Sequence, residues 1–283
     1  MAVDIVSVTL RALGFAALFQ AAGLAFFLTL FGWELSRPRP GLRRLGAVAA
    51  IAGVLLILAH LALDAARMAG DFSGLWDGEL QRLAWISGSG TAALVQAAGL
   101  LGIALSLRRP GGVGARRAAL CALIALGGFL LTGHTSTHPL RPLLAALLAL
   151  HLLVIAFWFG SLAPLLLVIG TEARPLAARI LARYSAIAGW LVPLILVAGL
   201  SLAWILAGSL AVLRQPYGQL LIAKIAGFGL LMLLAAANRW RLVPALAAGS
   251  PVTALRRSIG MEIALLVAVL STTAVLTTYY SPH

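Results

Sequence analysis

The sequence predicts an all-α fold, a polytopic membrane protein with eight transmembrane helices. Three observations carry that expectation. Hydrophobic residues make up 62% of the 283 residues and charged residues only 10%, and the mean hydropathy of +1.03 exceeds what a soluble core produces. The apolar residues fall into eight long runs, each near the ~20 residues a helix needs to cross hydrocarbon. Arginines then alternate between rich and poor loops. Within lipid a backbone must satisfy its own hydrogen bonds, so runs of this length are helices.

The first span, near 5–33, opens with Asp4 rather than a basic segment and stays apolar past the length of a secretory signal, so it is expected as a retained helix. The second, near 43–66, leads into an acidic loop holding Asp64, Asp71, Asp77 and Glu79. The third covers 83–107, and the fourth covers 115–133 behind Arg116 and Arg117. A short loop with His134, His138 and Pro139 follows, and Pro139 biases His138 away from helix. Spans five to eight lie near 143–169, 184–209, 219–240 and 255–278.

Loop cations set the orientation. Arg37, Arg39, Arg43, Arg44, Arg108, Arg109, Arg116, Arg117, Arg174, Arg179, Arg183, Arg239, Arg241, Arg256 and Arg257 share one side, against Arg67, Arg82, Arg141 and Arg214 on the other. Because cytoplasmic loops hold the cations, both termini are expected outside. A net charge of +13 spread over inter-span loops points to membrane lipid as the counter-charge and not to nucleic acid.

The chain divides into an N-terminal four-helix half, 1–140, and a C-terminal half, 141–283. Gly90, Gln96 and Gly99 of the third span have the spacing of Gly218, Lys224 and Gly227 in the seventh, and Gly23 follows Gly14 as Gly160 follows His151. An even number of spans per unit would make these two parallel repeats. Most of the 29 glycines are expected to serve close helix packing.

Chemistry must come from polar residues, which are costly in a bilayer. His60, His134, His138, His151 and His283 all map to the outer half or the outer loops. Imidazole is the commonest protein ligand for transition metals, so this distribution suits metal capture. His60, Asp64 and Met68 recur every fourth residue and stack an imidazole, a carboxylate and a thioether on one helix face. A simple His60–Asp64 pair is the alternative. His151 lies about two turns inside the fifth span, where either a neighbouring helix or a metal, haem or proton role must satisfy it. Lys224, the only lysine, either snorkels outward or needs an anionic partner such as Asp64. Glu262 is the one acid expected deep in a span, where it pairs with Asn238 or Arg239 or relays protons or cations.

Together these residues resemble a known family. Arg183, Tyr184 and Ser185, then Tyr217, Gly218 and Lys224, then Ala237, Asn238 and Arg239, Pro244, Glu262, Thr273 to Leu276 and finally Ser281 and Pro282 resemble the copper resistance protein D (CopD) domain. His151 with Trp158, Gly160 and Leu162 is similar to the signature preceding it. The likeness covers 143–282, and the first half only in span count and orientation. It implies a bacterial inner-membrane protein that moves copper from periplasm toward cytoplasm without being an enzyme, beside a periplasmic copper-binding partner of the CopC type. Its motif carries over His151, Lys224, Asn238 and Glu262. Placement adds His60, His134 and His138 as metal ligands, with Asp64 and Met68. One departure is that Met68 alone, beyond the initiator, offers an outer thioether, so no methionine ladder lines a Cu(I) path. The same His151, Trp158 and Gly160 pattern also resembles membrane oxidoreductases of the HemJ protoporphyrinogen oxidase type, in which His60 and His151 would ligate one haem b.

Overall fold

A computed structural model describes residues 2–35, 39–133, 138–207 and 214–279. Among them every regular element is helical: α1 (Ala2–Phe31), α2 (Arg39–Ala69), α3 (Gly78–Ile86), α4 (Gly88–Arg108), α5 (Gly112–Gly127), α6 (Arg141–Thr171), α7 (Arg174–Ala207), α8 (Pro216–Ala237), α9 (Val243–Ala247) and α10 (Thr253–Tyr279). Short 3₁₀ turns at Phe72–Trp76 and Gly128–Leu131 and a π turn at Asn238–Leu242 complete the set. Eight of these stretches are long and apolar enough to cross a membrane, the seventh running from Pro216 through the π turn to Ala247.

The third span starts later than the sequence predicts, because Ser87 breaks the run. Its hydroxyl accepts from the Gly90 amide and caps α4, while Asp77 accepts from the Glu79 and Leu80 amides and caps the separate α3. Asp71 caps the preceding 3₁₀ turn by accepting from the Ser73 amide at 2.7 Å, and these hydrogen bonds hold its carboxyl below the usual carboxylate range. Gly90 is required at the corner, since a Cβ there would collide with the Trp85 carbonyl.

Helix α1 stands at the centre of the bundle. It packs against α2, α5, α6 and α10, and buries Leu18, Leu24, Phe27 and Phe31 completely. α2, α4 and α5 pack around it and on one another. Further along the chain α6 packs on α7, and α10 bridges α6 and α8. The seventh span is peripheral, with 6% of its most apolar window buried, against 72% for α6. Phe228 of α8 still reaches Trp158 of α6, ring edge to ring face at 6.2 Å.

Association inside lipid depends on close packing of small residues more than on the hydrophobic effect. The α1–α6 seam shows why. A Cβ on Gly23 would strike the Ala156 carbonyl and approach the Gly160 Cα to 2.7 Å, and one on Gly160 would meet the Phe19 carbonyl at 2.5 Å. The two glycines that the repeat spacing pairs thus face each other. One turn on, Pro164 lacks an N–H and frees the Gly160 carbonyl from its intrahelical bond. Gln20 of α1 supplies the missing donor, its Nε2 bonding that carbonyl at 3.0 Å.

The Arg-rich end is tied by ion pairs. Glu34, whose side chain is 4% exposed, accepts from Arg183 at 2.5 Å and sits 3.6 Å from Arg179, joining the end of α1 to α7. The Arg183 guanidinium also lies over the Phe31 and Trp33 rings. Arg43 of α2 donates to the Leu107 carbonyl near the end of α4, satisfying a carbonyl that has no helical partner.

Candidate functional site

Three polar clusters occupy the bundle. The first is at the end away from the Arg-rich loops, where α1, α2 and α10 meet. Arg67 lies 3.7 Å from both Asp4 and Asp64 and donates to the Thr278 carbonyl at 3.4 Å. Arg11 donates to the Thr277 carbonyl at 2.8 Å and acts electrostatically on both Asp64 and His60. His60 Nε2 lies 3.2 Å from the Ser7 hydroxyl. Asp64 is therefore engaged by arginines and not by Lys224. Met68, on the same face of α2, is 54% exposed.

The second cluster surrounds His151. Its Nδ1 lies 3.2 Å from the Ile195 carbonyl of α7. A carbonyl only accepts, so Nδ1 carries the proton, and in the neutral imidazole the lone pair is then on Nε2. Gly199 leaves room for the ring, since a Cβ there would stand 3.1 Å from His151 Cε1. Lys224 of α8 is half-buried and within electrostatic range of the imidazole.

The third cluster lies toward the Arg-rich end, among α6, α7, α8 and α10. Glu262 of α10 is 3% exposed and accepts from Asn238 Nδ2 at 2.5 Å, with the Trp158 side chain close enough to act on it electrostatically. Of the two partners the sequence offers, Asn238 is the one in contact. Tyr184, whose ring centroid is 5.4 Å from that of Phe157, donates through its hydroxyl to the Trp158 carbonyl at 3.5 Å and lies within electrostatic range of the acid. Asn238 opens the π turn, which re-aims its side chain relative to a regular helix. Its Oδ1 is buried without a partner, as are the Ser161 and Ser258 hydroxyls.

Among the described residues no three His, Cys, Asp or Glu side chains come together as a metal-holding group. His60 bonds Ser7 across the α1–α2 seam and His151 bonds Ile195 across the α6–α7 seam. His138 accepts from the Leu140 amide at 3.0 Å, a local turn at the start of α6. His134 and His283 lie outside the described residues. Ser7, Arg11, Gln20 and Glu34 do not stand out as site residues in the sequence, yet they bond or act on ones that do. Arg11 and Glu34 carried a signal of their own, as charges within or beside an apolar run.

Two family models match the chain. One, described as Copper resistance protein D-like, N-terminal domain, covers residues 1–140, and the other, described as Copper resistance protein D, covers residues 178–276. Tyr184, Lys224, Asn238 and Glu262 fall within the second match, and His151 lies between the two. No curated protein and no solved structure matches.

Proposed function

The chain belongs to the copper resistance protein D family, and from that premise we propose that it carries copper across a bacterial inner membrane, from periplasm toward cytoplasm. The reading rests above all on His151, whose Nδ1–H is spent on a backbone carbonyl while Nε2 is left to face a ligand. Metal-binding histidines use this arrangement, in which the second nitrogen fixes ring and tautomer.

In this proposal copper is received at the end opposite the arginines. His134 and His138 meet it first, handed over by a CopC-type partner, and His60, Asp64 and Met68 stand at the C-terminal end of α2. His151 then holds the ion inside the bundle. Lys224 limits the positive charge that can gather there, because a cation at Nε2 feels the ammonium. Asn238 and Glu262 form the next oxygen-bearing station toward the Arg-rich end. The excess of arginines at that end supports placing it in the cytoplasm and both termini in the periplasm.

The test is copper accumulation by cells producing the protein, joined to elemental analysis and an absorption spectrum of gently purified material. Bound copper with no Soret band, and loss of most protein-dependent accumulation in His151→Ala, is the expected result. Accumulation unchanged in that variant removes His151 from the path, and a Soret band transfers the pair His60 and His151 to a haem.

A further inference from the structure

Two cavities meet beside the π turn. One, of about 770 Å³, opens at the Arg-rich end and is lined by Arg174, Arg179, Arg239, Ala182, Ala186 and Trp240. The other, of about 390 Å³, runs inward among α6, α7, α8 and α10 past Leu165, Leu181, Ala188, Val192, Met232 and Ile259. They share Ser185, Arg239, Trp240 and Val243. The result is one cleft, cationic at its mouth and mostly apolar along its length, with Trp158, Tyr184, Asn238 and Glu262 also in its lining.

We propose that this cleft binds one anionic phospholipid, with the phosphate between Arg174, Arg179 and Arg239 and an acyl chain laid along the inner cavity. Two of the arginines are already oriented by backbone. Arg239 donates to the Ser185 carbonyl at 2.8 Å and lies over Gly189, where a side chain would collide with it. Arg174 donates to the Gly249 carbonyl at 2.7 Å. A guanidinium has five N–H donors, so each anchored arginine retains donors for an anion, and its planar fork suits phosphate. Arg179 faces Glu34, but that carboxylate also takes Arg183, so the mouth remains cationic overall. Trp240, 72% exposed, stands at the mouth, the depth at which tryptophan meets headgroups.

Charge and shape together select the occupant. A free anion would have no use for the apolar cavity, and a neutral lipid would leave the arginines unanswered. Anionic lipid near clustered arginines is the pairing that membrane electrostatics favours. The inner cavity borders the Asn238–Glu262 pair that the copper reading uses, but lipid binding is read without copper, so the failure of one proposal is told apart from the failure of the other.

The full chain, purified in a neutral detergent, is titrated with dioleoylphosphatidylglycerol, dioleoylphosphatidylcholine or inorganic phosphate while thermal unfolding is followed. Native mass spectrometry counts the retained lipid. The expected result is saturable stabilisation and one retained molecule with phosphatidylglycerol, and neither with the other two. Ala186→Glu places a negative charge among the arginines at an exposed position, and Ala188→Phe fills the inner cavity without altering charge. Each should weaken phosphatidylglycerol binding tenfold or more. Equal stabilisation by both lipids, a full shift from phosphate alone, or wild-type affinity in either folded variant overturns the proposal.

Discussion

At the scale of single residues, the polar side chains in the spans are arranged by need for a partner. Glu262 accepts from the Asn238 amide, and Asn238→Leu would take that donor away. Losing a buried partner of this kind costs about 1–3 kcal/mol, so thermal unfolding in detergent should fall for Asn238→Leu and fall less for Asn238→Asp paired with Glu262→Gln, which restores an amide–carboxyl contact. His151, Lys224, Asn238 and Glu262 were legible in the sequence because a polar group inside an apolar run stands out by itself. Their partners were not. Nothing in the one-dimensional pattern ties His60 to Ser7 or Tyr184 to Trp158, because those contacts exist only once α1 lies on α2 and α6 on α7.

Helices were more readable than side-chain partners, since length and hydropathy fix them before any tertiary contact. The break at Ser87 escaped that reading. A hydropathy window passes smoothly over Leu83, Trp85 and Ile86, and only the caps at Asp77 and Ser87 divide α3 from α4. Asp77→Ala should therefore cost about 1 kcal/mol of local stability and speed hydrogen exchange at the Glu79 and Leu80 amides, with the transmembrane helices unchanged. At the α1–α6 seam the expectation runs the other way. Gly160→Val must push against the Phe19 carbonyl and Gly23 Cα, and overpacking of this sort costs about 1–3 kcal/mol, visible as a lower unfolding temperature. The glycine spacing was legible, whereas the fact that Gly23 and Gly160 meet each other was not.

For the molecule as a whole, eight spans were expected and eight candidate spans are found among the described residues, with α1 packed against α2, α5, α6 and α10. The sequence displays no sign of that, because α1 resembles the other spans in composition and its position follows from contacts with α6 and α10. Orientation is checkable with cysteine chemistry, since Cys121 is the only thiol. In a Cys121→Ser background, Gly78→Cys and Gly112→Cys occupy open positions at opposite ends of the bundle. A membrane-impermeant maleimide added to spheroplasts should label the first and spare the second, and the reverse pattern would invert the topology.

The bond from Gln20 to the carbonyl released by Pro164 has a consequence for inheritance. An amide at position 20 matters most while position 164 holds an imino acid, so descendants that lose the proline are freer to let the glutamine drift to leucine. The two sites should change together, in that order. The double variant Gln20→Leu with Pro164→Ala should accordingly unfold nearer the parental temperature than Gln20→Leu alone, the difference being about 0.6 kcal/mol, as for other interhelical bonds in lipid.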